Sequence, residues 1–326
     1  MTLNSKPTLF ISRPIAGIEE LRKNHPDFTI VMNEREENLT VQQLYHEAKK
    51  ADALITMLCD KIDNAFLSEN SHLRVVANYA VGLNNIDLRS AATLNIKVGH
   101  TPNVLTHSTA ETAIMLLLNL SRQFNKASSA VVNGQWKTWE PTYFNGEDLR
   151  QKKIGIIGFG RIGQDFAAKA HALWKCPILV MKRESYEGLT LPIPFELVDE
   201  QTFFKEVDII SLHCPLNDET QNMINGDFIQ KMHKPFFLIN TARGAIHNEE
   251  DLIEGLKNKK LKGVGLDVTD PEPMSASHKL LESPLVIVLP HIGSATDKTR
   301  FEMTKMSLEN IQAGLNGFKL PYDAFS

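Results

Sequence analysis

Lys153-Ile154-Gly155-Ile156-Ile157-Gly158-Phe159-Gly160-Arg161-Ile162-Gly163 is the stretch that decides how this chain is read. Residues 153–157 form a short β-rich run, and a Gly-x-Gly-x-x-Gly pattern follows without a gap. Ile162, Phe166, Ala170 and Leu173 then recur on one face of a helix. A Gly-x-Gly-x-x-Gly pattern alone is a weak signal. Set between a strand and a helix it becomes the fingerprint of dinucleotide binding. Gly158 permits the tight turn, Gly160 lets the backbone approach a pyrophosphate, and Gly163 lets the helix pack on the strand. The free N–H groups at the helix start then meet the phosphate charge. Gly158, Phe159, Gly160, Arg161, Ile162 and Gly163 are therefore the expected cofactor cradle.

The next strand should end in the residue that reads the adenosine ribose, and an Asp or Glu there selects NAD. Here Ile178–Met181 runs into Lys182 and Arg183, with Glu184 nearby. A 2′-phosphate pairs with such cations. NADP(H) is thus the preferred cofactor and NAD(H) the alternative.

Outward from this stretch, β-rich runs alternate with helical patterns in both directions. Five runs precede residue 100: Thr8–Ile11, Thr29–Met32, Ala53–Met57, Arg74–Ala77 and Ile96–Val98. After residue 150 come Lys153–Ile157, Ile178–Met181, Asp208–Leu212, Pro235–Asn240, Gly263–Val268 and Val286–Leu289. Such alternation predicts parallel sheets covered on both faces, in two domains. Between the series, Asn103–Ala127 reads as one long apolar helix, buried between domains or subunits. Asn133–Gln151, with Trp136 and Trp139, reads as a loop, and Ala295–Leu315 as a final helix.

Composition narrows the function. With 326 residues the chain fits about two domains. A net charge of −4, from 35 basic and 39 acidic residues, offers no footprint for nucleic acid or an anionic membrane. Cys59, Cys176 and Cys214 are scattered and odd in number, which argues against a disulfide framework or a zinc site. No metal is expected. The longest apolar run, Ala113–Leu118, falls far short of the roughly 20 residues a membrane span needs. The cytoplasm is the expected compartment.

Three late strands end in chemically loaded loops: Thr241-Ala242-Arg243-Gly244, Asp267–Pro273, and Pro290-His291-Ile292-Gly293-Ser294. In open parallel sheets ligands bind beyond the carboxyl ends of the strands. An Arg, a Glu and a His thus project to one edge, beside the glycine loop. The set suits reduction of a 2-oxo acid. Hydride addition to a carbonyl carbon leaves charge on its oxygen, and His291 is the proton donor in the right range. Glu272 orients the imidazole and favours its charged form. Arg243 grips the substrate carboxylate bidentately, which Lys does poorly.

Together these motifs resemble the D-isomer-specific 2-hydroxyacid dehydrogenases. Asn78–Asp87, Asn103–Thr106 and Ser211–Leu216 add to the likeness, which covers nearly the whole chain in order. It implies an α/β architecture of two doubly wound parallel-sheet domains. A Rossmann cofactor domain, 103–294, is inserted into a flavodoxin-like substrate-binding domain, 1–102 and 295–326. It implies His291 as general acid, Glu272 as its partner and Arg243 as the substrate clamp. The amides of Val81 and Gly82 would hold the substrate carboxylate. Asp267 would bind the nicotinamide carboxamide, Thr241 and Ala242 would line the nicotinamide, and Cys214 and Pro215 the adenosine side. Thr220 and Gly293 are further cofactor contacts, and homodimers would form through the cofactor domains.

Within the family the glyoxylate/hydroxypyruvate reductases fit best. Ile55–Asp63, with Leu58 as a substrate contact, resembles their loop. Trp136-Lys137-Thr138-Trp139 resembles their tryptophan segment, in which a Trp, here preferentially Trp139, reaches the neighbouring subunit's site. No basic residue stands near Met57 for a phosphorylated substrate, and no C-terminal regulatory domain is expected. Leu173-Trp174 departs from the Phe-Gly that usually ends the glycine-loop helix. Two other readings stay open: an NADH-linked dehydrogenase for another 2-oxo acid, and a non-catalytic dinucleotide-sensing protein. The shortness of the chain past Leu320 weighs against the second.

Overall fold

The structure, a computed structural model, describes residues 6–35, 37–181 and 191–325. The chain divides into two compact units, Met1–Leu105 with Ala295–Ser326, and Thr106–Ser294. The first break falls at Leu105, slightly later than residue 102.

The first unit is built on strands β1 (Thr8–Ile11), β2 (Thr29–Met32), β3 (Ala53–Thr56), β4 (Val75–Asn78) and β5 (Lys97–Gly99). All pair in parallel, in the order β2-β1-β3-β4-β5. β3 and β4 are buried along their whole length, which is why they read as continuous apolar runs. Side chains open the helices between them. Thr40 accepts from the Gln43 amide in a complete capping box, and Asp63 and Asp87 each cap a short helix. The chain's last helix, Asp297–Leu315, packs on this sheet and completes the unit. Gly314 makes the close approach possible: a Cβ there would lie 2.5 Å from Val75 Cβ.

The second unit carries β6 (Ile154–Ile157), β7 (Ile178–Met181), β8 (Glu196–Val198), β9 (Ile209–Leu212), β10 (Phe236–Asn240), β11 (Leu261–Leu266) and β12 (Val286–Val288). Their order is β12-β11-β10-β9-β6-β7-β8, all parallel. Successive residues of β10 go to opposite faces. Phe236 and Leu238 join one apolar cluster, and Phe237 and Ile239 the other. The strand order reverses between β6 and β9, which places the glycine loop at the switch point of a doubly wound sheet.

Three readings of the sequence change here. The expected helix Asn103–Ala127 is two helices, Thr106–Ser121 and Phe124–Val132. Gln123 turns left-handed between them at φ 50°, and the Glu147 amide donates to the Ser121 carbonyl at 2.8 Å. The break is thus capped by a distant loop, and no local breaker marks it. β8 is a short edge strand without an apolar run, so periodicity did not reveal it. β11 begins at Leu261 and ends at Leu266, so Asp267 stands just beyond the sheet. Among the described residues, no helix is long and apolar enough to cross a membrane.

Replacing Gly314 with Ala should push the last helix off β4, at a cost of about 1–3 kcal/mol for overpacking. Urea unfolding checks it; an unchanged midpoint would show that the helix does not depend on that approach.

Candidate active site

The glycine loop has the geometry of a phosphate cradle. Gly158 adopts φ 92°, and a Cβ there would meet the Cys214 backbone nitrogen at 2.3 Å, so only glycine fits. Around Gly160 a Cβ would meet open space, leaving the backbone approachable. A Cβ on Gly163 would strike the Gly158 carbonyl at 2.3 Å. The helix Arg161–Trp174 begins at Gly160 with no side-chain cap, so its first-turn amides suit an anion. Gln164 Nε2 donates to the Phe159 carbonyl at 2.8 Å and steadies the loop. The Phe159 side chain itself is buried against Phe195, so only its backbone can face a ligand. Arg161 is exposed and Ile162 packs on the core.

Further along the same edge, Cys214 is buried and Pro215 exposed at the end of β9. Thr220 is buried and donates to the Pro215 carbonyl at 2.6 Å, which folds that loop back on itself. Thr241 is nearly buried, and its hydroxyl has no partner among the described residues. An unpartnered hydroxyl on the same sheet edge as an open glycine cradle fits a bound dinucleotide. Lys182 and Arg183, the residues expected to select NADP(H), lie outside the described residues.

The loops after β10, β11 and β12 bring together Arg243, Glu272 and His291. His291 Nδ1 and Glu272 Oε2 are 2.9 Å apart. Glu272 Oε1 accepts from the Thr269 amide at 3.1 Å, so both carboxylate oxygens are engaged. Burial pushes the Glu272 carboxyl up, but the His291 hydrogen bond and the charges of His291 and Arg243 outweigh it and hold it below its usual value. Arg243 has Glu272 as its charged neighbour, and burial lowers its guanidinium from its ordinary value against that attraction. Its Nη1 donates to the Ala242 carbonyl at 2.6 Å.

Asp267 supports this group in a way the sequence did not disclose. Its Oδ1 accepts from the Ile292 amide at 2.7 Å and its Oδ2 from the Gly293 amide at 2.8 Å. It therefore fixes the loop that carries His291. Thr109, which had no local signal, donates to the Gly293 carbonyl at 3.1 Å from 184 residues away. Gly244 leaves room where a Cβ would meet the Thr269 backbone at 2.1 Å, so the Arg243 turn and the Glu272 loop are in direct contact.

The remaining expected substrate contacts belong to the first unit, apart from Trp139. Leu58, Val81 and Gly82 stand in the loops that follow β3 and β4 of the first unit, all three half-buried. Asn85 Nδ2 donates to the Met57 carbonyl at 3.1 Å, and Asn78 Nδ2 to the Gly82 carbonyl at 2.8 Å. Asn78 and Asn85 also bond to each other, which ties the two loops together. Trp139 is 78% exposed in loop 133–151, and Trp136 is 60% exposed.

Comparison with known proteins agrees with this geometry. The family described as D-isomer specific 2-hydroxyacid dehydrogenase, NAD binding domain, matches residues 114–293. This chain belongs to the D-isomer-specific 2-hydroxyacid dehydrogenases. It is an oxidoreductase of that family, with a nicotinamide dinucleotide as cofactor. A glyoxylate reductase of Thermococcus litoralis is 37% identical over 318 residues, 96% of this dehydrogenase and 95% of that protein. The crystal structure of a protein from Thermus thermophilus superposes with a TM-score of 0.89 at 34% identity, covering 97% of this chain and 99% of that one. The NADPH-dependent glyoxylate/hydroxypyruvate reductase of Sinorhizobium meliloti, in complex with NADP and malonate, gives 0.82 at 27% identity over 98% and 97%.

Two histidines of the second unit titrate far below their ordinary value of 6.5. Burial pushes His213 down to about 3 and His247 down to about 4. His213 Nδ1 is sealed off without a partner among the described residues. Below pH 6.5 the unfolded dehydrogenase takes up protons at both positions that the folded one refuses. Stability should therefore fall as pH drops from about 6.5 toward 4, by on the order of 1 kcal/mol per pH unit for each histidine. Denaturant unfolding at stepped pH reads this slope. A flat profile would mean that both rings take up protons as readily in the native state as in the unfolded one.

Proposed function

We propose that this dehydrogenase reduces glyoxylate and hydroxypyruvate to glycolate and D-glycerate and prefers NADPH. The carrying observation is the 2.9 Å pairing of His291 with Glu272 beside Arg243. The relatives' names support a small 2-oxo acid as substrate. The reduced nicotinamide, when bound, supplies the hydride that the carbonyl carbon receives. His291 uses Nε2 to give the proton to the carbonyl oxygen, since Nδ1 is engaged by Glu272. Glu272 holds the ring in that tautomer and stabilises the charge it carries before donation. Arg243 pairs with the substrate carboxylate and polarises the adjacent carbonyl.

Gly158–Gly163, Cys214, Pro215, Thr220, Thr241, Ala242, Asp267 and Gly293 are proposed as cofactor contacts. Lys182 and Arg183 are proposed to pair with the 2′-phosphate. Leu58 and the amides of Val81 and Gly82 are proposed as substrate contacts from the first unit. The cytoplasm is proposed as the compartment, which the scattered cysteines favour.

A homodimer through the second unit is part of the proposal. Met115, Leu118, Phe124 and Leu173 are 39%, 40%, 59% and 58% exposed along one apolar groove of about 790 Å³. A second copy would cover it, and Trp139 would project from the adjoining loop.

Arg243→Ala should lower kcat/KM for glyoxylate by about 10³, since charge-assisted bidentate contacts are strong. NADPH binding should change less than about threefold, and equal losses of both would overturn the clamp assignment. His291→Ala should lower kcat by about 10²–10⁴ with the fold intact. Absorbance loss at about 340 nm with each cofactor in turn tests the cofactor preference. Faster turnover with NADH would overturn the preference and keep the enzyme class. Leu118→Asp together with Leu173→Asp should yield a monomer by light scattering, and a persisting dimer would move the interface elsewhere.

A further inference from the structure

We infer that His247 is a positioning residue for the reaction, holding the Arg243 turn in place through Asn240. The inference rests on the reading of Arg243 as the carboxylate clamp.

Asn240 ends β10 and is completely buried; His247 is 3% exposed. The Asn240 side chain braces the turn between them. Its Oδ1 accepts from the Ala242 amide at 2.9 Å, and its Nδ2 donates to the Arg243 carbonyl at 2.8 Å. A backbone amide can only donate and a carbonyl can only accept, so the orientation of the Asn240 side chain is fixed. The second Nδ2 hydrogen then points at His247 Nδ1, 2.9 Å away. That nitrogen must be an unprotonated acceptor. The ring is therefore neutral with its proton on Nε2, which has no partner among the described residues. Burial acts in the same direction and keeps His247 uncharged.

The ring cannot drift from this position. The His247 amide donates to the Gly244 carbonyl at 3.0 Å, and residues 246–248 are laced to Ile224 by two backbone bonds of 3.0 Å. On the other side, the Gly244 backbone lies directly against Thr269. The Arg243 turn is thus held from below by Asn240 and laterally by the Glu272 loop. Removing the acceptor at Nδ1 leaves a buried N–H unsatisfied, which is a costly state. Rotation of the Asn240 amide relieves it only by releasing the Arg243 carbonyl. The guanidinium then loses its fixed starting point, while the glycine cradle is untouched.

His247→Leu and His247→Asn separate this role from simple packing. The two side chains are close in shape and leave similar space. Asn keeps an acceptor near the position of Nδ1, and Leu does not. In the full chain, His247→Leu should raise KM for glyoxylate about tenfold, with a smaller change in kcat and the Kd for NADPH within about twofold. His247→Asn should bring KM back to within about threefold of the starting protein. A packing role would lower the Tm of both variants alike and leave their KM values equal, and that result overturns the inference. An unshifted KM in His247→Leu does the same. Arg243→Ala is measured alongside. If it leaves KM unchanged, the clamp reading fails; if it raises KM while His247→Leu does not, only the present inference fails. Should His247→Leu not fold, His247→Phe keeps the ring volume, lacks the acceptor and takes its place.

Discussion

Asp267 accepts two successive backbone amides, those of Ile292 and Gly293, and the arrangement of the site depends on that clamp. His291, just before them, sits at φ 53°, in the left-handed region. A non-glycine residue there costs about 1–2 kcal/mol and persists only where its surroundings impose it. Two charge-assisted bonds from one buried carboxylate are enough to impose it. They aim the imidazole at Glu272, and Glu272 returns the constraint through Nδ1 and through the Thr269 amide. The chemistry thus hangs on backbone geometry that one side chain sets from below.

The parallel sheet makes this economical. β10, β11 and β12 are neighbours in the sheet, so their carboxyl-end loops lie side by side although 48 residues separate Arg243 from His291. Gly244 then allows backbone contact between the first two loops, and Asp267 ties the second to the third. The glycine cradle opens at the switch point two strands away, where β6 meets β9. Each loop needs few residues of its own because the sheet has already fixed the spacing.

Much of this was legible in sequence for physical reasons. Strands buried on both faces, such as Phe236–Asn240, give unbroken apolar runs, and the glycine pattern has one structural context that explains it. Arg243, Glu272 and His291 could be placed because strand ends predict which loops share an edge. What stayed hidden was set by distant partners. The break at Gln123 is capped by Glu147, Gly293 is held by Thr109, and β8 is too short and exposed to show a period. His247 stood four residues past Arg243 with nothing local to distinguish it. Its meaning lies in the direction of one Asn240 hydrogen, which only the folded backbone determines.

The two neighbouring carboxyls at this edge are driven apart by their surroundings. Burial dominates at Asp267 and raises its carboxyl, even against the amides it accepts and the nearby His291. At the more open Glu272 the attraction of His291 and Arg243 wins, and the carboxyl falls. The one suited to stay ionised beside His291 is therefore Glu272. Asp267, with each oxygen accepting a backbone amide, is suited to holding the shape of the loop. The histidines divide in the same way. His247 and His213 are enclosed and kept neutral, so they serve as fixed hydrogen-bonding groups. His291 is half-buried with a carboxylate at its back on Nδ1, which is the arrangement that the proton donor proposed above would need.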